Sequence, residues 1–195
     1  MGTRNLTRVI DNGELKVCQY GQWDGYPIYT GRKVLEFVRN GKYDAVRGCK
    51  LNITYGGARY YTGAPATAEV EEAMLLHQKI MYNDGLTLEE AKAKADKTVI
   101  DELGEDAFLG YLAASRDTGA NILSISKPID LYADEYLVSV EEPNNSIKAV
   151  NIVDFDNETV TMKWKDKTTT YTFAEIQVMD IDKEMRAFEG EESWE

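Results

Sequence analysis

The segment Gln22-Trp23-Asp24-Gly25-Tyr26-Pro27 sets a carboxylate between two aromatic rings. On a turn leaving a strand, that grouping offers faces to stack on and an acceptor for hydrogen bonds, in the kind of place where loops carry binding groups. The same residues also suit a stapled turn. In that reading Asp24 bonds local backbone N–H groups, Gly25 takes a positive φ and Trp23 packs on the core. A second candidate is Ser115-Arg116-Asp117-Thr118, an Arg-Asp pair at a helix break. Such a pair clamps a ligand anion, or Asp117 or Thr118 caps the following helix. His77, the one histidine, falls on the apolar stripe of its helix and reads as a core or rim residue. Cys18, between Val17 and Gln19 in a strand pattern, reads as a small buried thiol, because a reactive thiolate needs an open, electropositive setting. Asp154 and Asp156 flank a turn and read as solvated, far from general acid–base work. The chain has no phosphate loop, no Gly-x-Gly-x-x-Gly, no nucleophile elbow and no zinc motif. The motifs therefore name no catalytic residue, and no metal site or cofactor is expected.

These residues must be held by elements the sequence also indicates. Asn5–Ile10 and Leu15–Tyr20 are strand-like runs joined by Asp11-Asn12-Gly13, whose Asn and Gly tolerate the positive φ of a tight hairpin. Thr30 is placed to cap a helix that carries Val34, Leu35, Phe37 and Val38 and ends at Gly41. Leu51–Ala66, rich in Gly and Tyr, reads as a long loop or irregular strand. The middle is helical: Thr67–Met81, with Val70, Met74, His77 and Met81 in period; Leu88–Leu103, opened by the capping box Thr87-Leu88-Glu89-Glu90; Glu105–Ala114; and a short helix over Ala120–Ile125. Beyond Pro128 the texture changes to strands at Tyr136–Val140, Ala149–Asp154, Thr159–Trp164 and Thr168–Phe173, with turns at Asp156-Asn157 and Asp166-Lys167. Strands, then helices, then strands indicate an α+β fold in which an N-terminal hairpin and C-terminal antiparallel strands share one sheet, packed by a central helical segment. The expected organisation is one domain over 1–181 and an acidic, flexible tail over 182–195.

With 195 residues and 22.0 kDa, the chain is long enough to bury a core. No apolar run approaches the roughly 18–20 residues of a membrane helix, and no signal-peptide core follows Met1. Met1-Gly2 starts like a myristoylation site, but Leu6 stands where that motif needs Ser or Thr. Two cysteines make no disulfide framework, so the expected location is cytoplasmic. The net charge of −12 is unevenly spread. Residues 1–65 hold ten bases against five acids and seven of the twelve tyrosines, leaving 12 bases and 29 acids for the remainder. Cations among aromatic faces suit an anionic, nucleotide-like ligand. The plain alternative is that the two halves attract each other while the acids maintain solubility. Duplex nucleic acid is not an expected partner, because the acidic majority repels its backbone.

Gly2-Thr3-Arg4-Asn5-Leu6-Thr7, followed by Lys16-Val17-Cys18-Gln19-Tyr20-Gly21-Gln22-Trp23-Asp24-Gly25-Tyr26-Pro27, is similar to the opening of a family of bacterial, phage and fungal proteins without an assigned activity. The resemblance extends to Ser115-Arg116-Asp117-Thr118-Gly119-Ala120-Asn121-Ile122-Leu123 and, loosely, to Val153-Asp154-Phe155-Asp156. It implies a phage or mobile-element origin and the candidate ligand-binding set Arg4, Asn5, Gln22, Trp23, Asp24, Tyr26, Arg116 and Asp117, but no reaction. Cys18 stands where the family has alanine, which argues against a thiol nucleophile. Ile28-Tyr29-Thr30-Gly31 replaces a Gly-rich continuation. The N-terminal hairpin ending in Gly-x-x-Asp-Gly also resembles the start of N-terminal-nucleophile hydrolases. That likeness implies a hydrolase only if trimming exposes Thr3, since Gly2 carries no nucleophile. The expected function is a cytoplasmic binding protein for a small anionic ligand or a protein partner. Such a hydrolase, or an acidic protein-interaction module, are the alternatives.

Overall fold

Asn12 and Gly13 both adopt positive φ, 55° and 71°, the geometry that lets a two-residue turn follow the twist of its strands. They join β1 (Asn5–Asp11) to β2 (Glu14–Gly21). The computed structural model describes residues 2–54, 67–82 and 85–190. After β2 come a π-helical turn (Pro27–Gly31), α1 (Arg32–Asn40), α2 (Asp44–Arg47) and β3 (Lys50–Thr54). Then follow α3 (Ala68–Met81), α4 (Leu88–Leu103), α5 (Glu105–Ala114) and a 3-10 turn (Gly119–Ser124). The chain continues through β4 (Asp130–Asp134), α6 (Glu135–Ser139), β5 (Ala149–Asp154), β6 (Thr159–Trp164), β7 (Lys167–Thr172), α7 (Phe173–Val178) and α8 (Ile181–Glu189). This is an α+β fold. The chain forms two compact units: Met1–Thr62 with Arg116–Glu195, and Gly63–Ser115.

The first unit holds a five-stranded sheet in the order β2-β1-β5-β6-β7. The terminal strands do share one sheet. β1 pairs antiparallel with β2 and parallel with β5, and the β5-β6-β7 meander is antiparallel. One face buries Leu6, Cys18, Tyr20 and Val150 against Ala133, Leu137, Val140 and Ile147 from the β4–α6 side. The other carries Val9, Val17, Val153, Val160 and Met162, all buried. Met162 lies against Gly31, where an added Cβ would also meet the Met185 sulfur of α8 at 2.9 Å. On this face the register aligns Gln19, Thr7 and Asn151 across β2, β1 and β5, a buried polar row.

Four cations of the basic N-terminal third serve the fold. The Arg8 guanidinium, buried on β1, donates to the Leu137 and Val138 carbonyls at the end of α6. Arg39 does the same for Ile176 and Met179 at the end of α7. Cations at the last carbonyls of a helix satisfy orphan acceptors and oppose the negative end of its dipole. Arg47 makes a bidentate pair with the buried Asp11 (3.0 and 2.9 Å), and Lys33 donates to Asn121 at 2.8 Å.

Among the described residues the second unit is three helices, α3, α4 and α5. Thr67 caps α3 and the Thr87–Glu90 box opens α4, both at the expected places. Its buried line is Val70, Ala73 and His77, while Met74 is exposed. His77 is the hub: Nε2 lies 2.9 Å from Asp96 Oδ1 and Nδ1 lies 3.0 Å from the Tyr111 hydroxyl, while Lys92 donates to Asp96 at 2.8 Å. A buried imidazole whose two nitrogens are both engaged ties α3 to α4 and α5.

Four local expectations are corrected. Tyr136–Val140 is not a strand but α6, because the Asp134 carboxylate accepts from Tyr136 N at 2.8 Å and starts a helix. The strand of that region is β4, which is legible only through its parallel partner β3. Thr30 is not the cap of α1. It lies inside the π-helical turn and its hydroxyl donates to the Asp24 carbonyl. Phe173 leaves the strand to open α7 behind the Thr172–Glu175 capping box. Finally, the stretch expected to begin a flexible tail at 182 lies in α8, whose Ile181, Met185 and Glu189 are buried. Residues 55–66 of the expected loop and 191–195 of the expected tail lie outside the described residues.

Candidate functional site

Asn5 is 1% exposed, and its side-chain amide donates to the Gly21 carbonyl at 3.2 Å and the Trp23 carbonyl at 3.0 Å. It therefore holds the chain as it leaves β2. Gly21 and Gly119 are both glycine because the backbones meet there: a Cβ on Gly21 would lie 2.9 Å from Gly119 Cα and 2.6 Å from the Asn5 amide. Gln22 N donates to the Arg116 carbonyl at 2.8 Å. The Trp23 side chain also lies beside the Asp117 carboxylate and favours its charged form. Segments more than ninety residues apart thus meet at one place, with Asn5 as the internal pin.

Around that pin, Trp23, Arg116 and Asp117 are each about half exposed (50, 53 and 53%). Arg116 Nε stands 3.8 Å from Asp117 Oδ1. Partial burial raises the Asp117 pKa, opposed by Arg116 and aided by the Asp24 charge. Asp24 holds a left-handed φ of 56°, uncommon for a residue with a Cβ. The flanking bonds fix it: Gly25 N donates to the Thr3 carbonyl at 2.9 Å, and Thr30 to the Asp24 carbonyl. Gln22 accepts the Tyr20 hydroxyl at 2.6 Å.

Two further predicted site residues, Tyr26 and Arg4, have other neighbours as well. Tyr26, though exposed on one side, turns its ring to Trp164 with centroids 5.4 Å apart. Arg4 is half-buried at the start of β1, where its carbonyl accepts from Lys148 and Ala149. Gly2 lies against the indole, where an added Cβ would come within 2.3 Å of Trp23 Cε3.

Beyond Tyr26 the chain enters the π-helical turn, a rare conformation often found at functional sites. A cleft of about 340 Å³ opens here, lined by Ile28, Tyr29, Arg32, Asp182 and Arg186. Glu189, buried on α8, accepts from Ile28 N at 3.2 Å and ties the two walls together. Arg32 is held by Glu36 at 2.8 Å and reaches Asp182 at 3.4 Å, and these carboxylates raise its pKa. The Arg186 side chain has neither an ion pair nor a hydrogen bond among the described residues. Sequence reasoning missed this cleft because Asp182–Glu195 reads as a charged tail. The signal was there: Ile181, Met185 and Phe188 recur at helical spacing, which puts Asp182 and Arg186 together on another face.

The cysteines take no part. Burial raises the Cys18 thiol pKa, which Arg8 opposes, and burial likewise raises that of Cys49. Among the described residues no three His, Cys, Asp or Glu side chains group as a metal requires, and no helix is long and apolar enough to cross a membrane. The chain matches no family model, no curated protein and no solved structure.

Proposed function

We propose that this chain is a ligand-binding protein and that the cleft between the π-helical turn and α8 takes a small anionic, nucleotide-like ligand. The observation that carries this reading is the Arg186 guanidinium, without an ion pair or hydrogen bond among the described residues, lining the same cleft as the exposed Tyr29 ring. A planar guanidinium binds phosphate or carboxylate in bidentate fashion, and a half-exposed tyrosine offers a stacking face to a base. Arg32 supplies a second cation once the exposed Asp182 gives way to the ligand anion. The volume, about 340 Å³, falls within the range of small-molecule sites. The overall charge of −12 makes such a local pair of arginines the favoured landing point for an anion.

The test is calorimetric titration with AMP, ADP and ATP, and with inorganic phosphate, at low and physiological salt. Saturable binding that weakens at least tenfold in Arg186→Ala and Tyr29→Ala supports the reading. Absence of binding at millimolar nucleotide, or affinity untouched by both substitutions, overturns it.

A further inference from the structure

The cluster around Trp23 has a different chemistry from the arginine cleft. It sets one cation, Arg116, against two carboxylates, Asp24 and Asp117, so a phosphate would meet net repulsion. We propose that Gln22, Trp23, Asp24, Arg116 and Asp117 form a second binding site for a neutral ring bearing vicinal hydroxyl groups, a saccharide or the sugar of a nucleoside.

Three features support the assignment. The first is the indole. A tryptophan left half exposed is an apolar platform in water, and here it is held in place, with Gly2 against its benzo ring and its carbonyl bonded by the Asn5 amide. Sugar rings present flat C–H faces that bury well on such a surface, so a fixed platform lowers the entropy lost on binding. The second is the mixture of donors and acceptors around it. Tyr20 occupies the Gln22 side-chain oxygen at 2.6 Å, which orients the amide and leaves its NH2 group as a donor. Arg116 is also a donor only, whereas the two carboxylates are acceptors only. A hydroxyl both donates and accepts, so neighbouring hydroxyls match this set as neither a phosphate nor an ammonium does. The third is preorganisation. The left-handed Asp24 is held by bonds on both sides, and Arg116 is fixed to Gln22 through its carbonyl. Strained backbone maintained in this way recurs at ligand clamps.

Saturation-transfer difference NMR on the full chain tests this directly. The probes are methyl glycosides of glucose, galactose and mannose, a chito-oligosaccharide and a malto-oligosaccharide, with adenosine and 2′,3′-dideoxyadenosine alongside. Saturation reaching the ring protons of at least one sugar or of adenosine is expected. That signal should fall at least tenfold in Trp23→Ala and in Asp117→Ala, and persist in Arg186→Ala. Binding by glycosides assigns the hydroxyls to a glycan. Binding by adenosine but not by its dideoxy form assigns them to a nucleoside. No transfer to any probe, equal transfer to both adenosines, or a signal lost in Arg186→Ala and kept in Trp23→Ala would overturn the proposal. Because Trp23→Ala also removes the packing of Gly2 on the ring, Asp24→Asn and Arg116→Gln, both surface changes, serve as the second pair. If both leave the affinity of a bound probe within twofold, the assignment also fails.

Discussion

Replacing Asn5 with alanine removes the two hydrogen bonds that pin the chain at Gly21 and Trp23, at 3.2 and 3.0 Å. Each such bond contributes about 0.5–1.5 kcal/mol net, and leaving buried carbonyls without donors adds to the loss. With the packing lost from a side chain only 1% exposed, Asn5→Ala should cost about 2–4 kcal/mol. Asn5→Asp should cost more at neutral pH. Its shape is nearly the same, but it aims a carboxylate oxygen at two carbonyl oxygens in a buried site. Urea denaturation followed by tryptophan fluorescence and far-UV circular dichroism gives both values, and the slope checks that unfolding stays comparable. If Asn5→Ala lies within about 0.5 kcal/mol of the parent, or Asn5→Asp is the milder change, Asn5 is not the pin inferred from its bonds.

The other predictions follow from single groups. His77→Phe keeps a ring of similar size but strands Asp96 and the Tyr111 hydroxyl, so it should destabilise the three-helix unit by about 2–3 kcal/mol. Amide hydrogen exchange along α3, α4 and α5 reads the loss. Burial raises the Asp96 pKa, but the His77 and Lys92 hydrogen bonds outweigh it, so the folded value lies below the unfolded one. Asp96 thus adds stability above the ordinary carboxylate pKa of about 3.9 that is lost as pH falls through the folded value. Asp96→Asn should flatten the acid limb of a melting-temperature profile taken from pH 7 to pH 3. Burial, with the hydroxyl donating to Glu184, pushes Tyr171 up to about 12. A tyrosine raised in this way stabilises the fold below about pH 10, and the contribution fades as pH climbs toward about 12. Ultraviolet titration should show one tyrosine ionising in that late range, and Tyr171→Phe should remove it. Both thiols should resist a disulfide reagent until the chain is unfolded, since Cys18 and Cys49 are 2% exposed and burial raises both pKa values.

By itself the sequence determined the features whose causes are local. Asn12-Gly13 encodes its turn, Gly41 its left-handed helix end at φ 68°, and Thr87 with Glu90 a capping box, because each depends on the φ preference or side-chain reach of adjacent residues. Alternating apolar residues likewise marked β6, and a run rich in β-branched residues marked β5, which pair as simple antiparallel neighbours. The opening motif and Arg116-Asp117 were legible as unusual residues, but whether they meet was not. That depended on the close approach of Gly21 to Gly119 and on Asn5 reaching two carbonyls, contacts between segments far apart in the chain. The same limit hid β4, whose partner β3 lies some eighty residues earlier, and α8, whose high charge masked the spacing of Ile181 and Met185. It also concealed the basic third's purpose: Arg8 and Arg39 serve the carbonyl ends of α6 and α7, helices more than a hundred residues away. Local propensity sets the elements, whereas burial of one face against a distant segment selects which charged and aromatic side chains remain in solvent to bind.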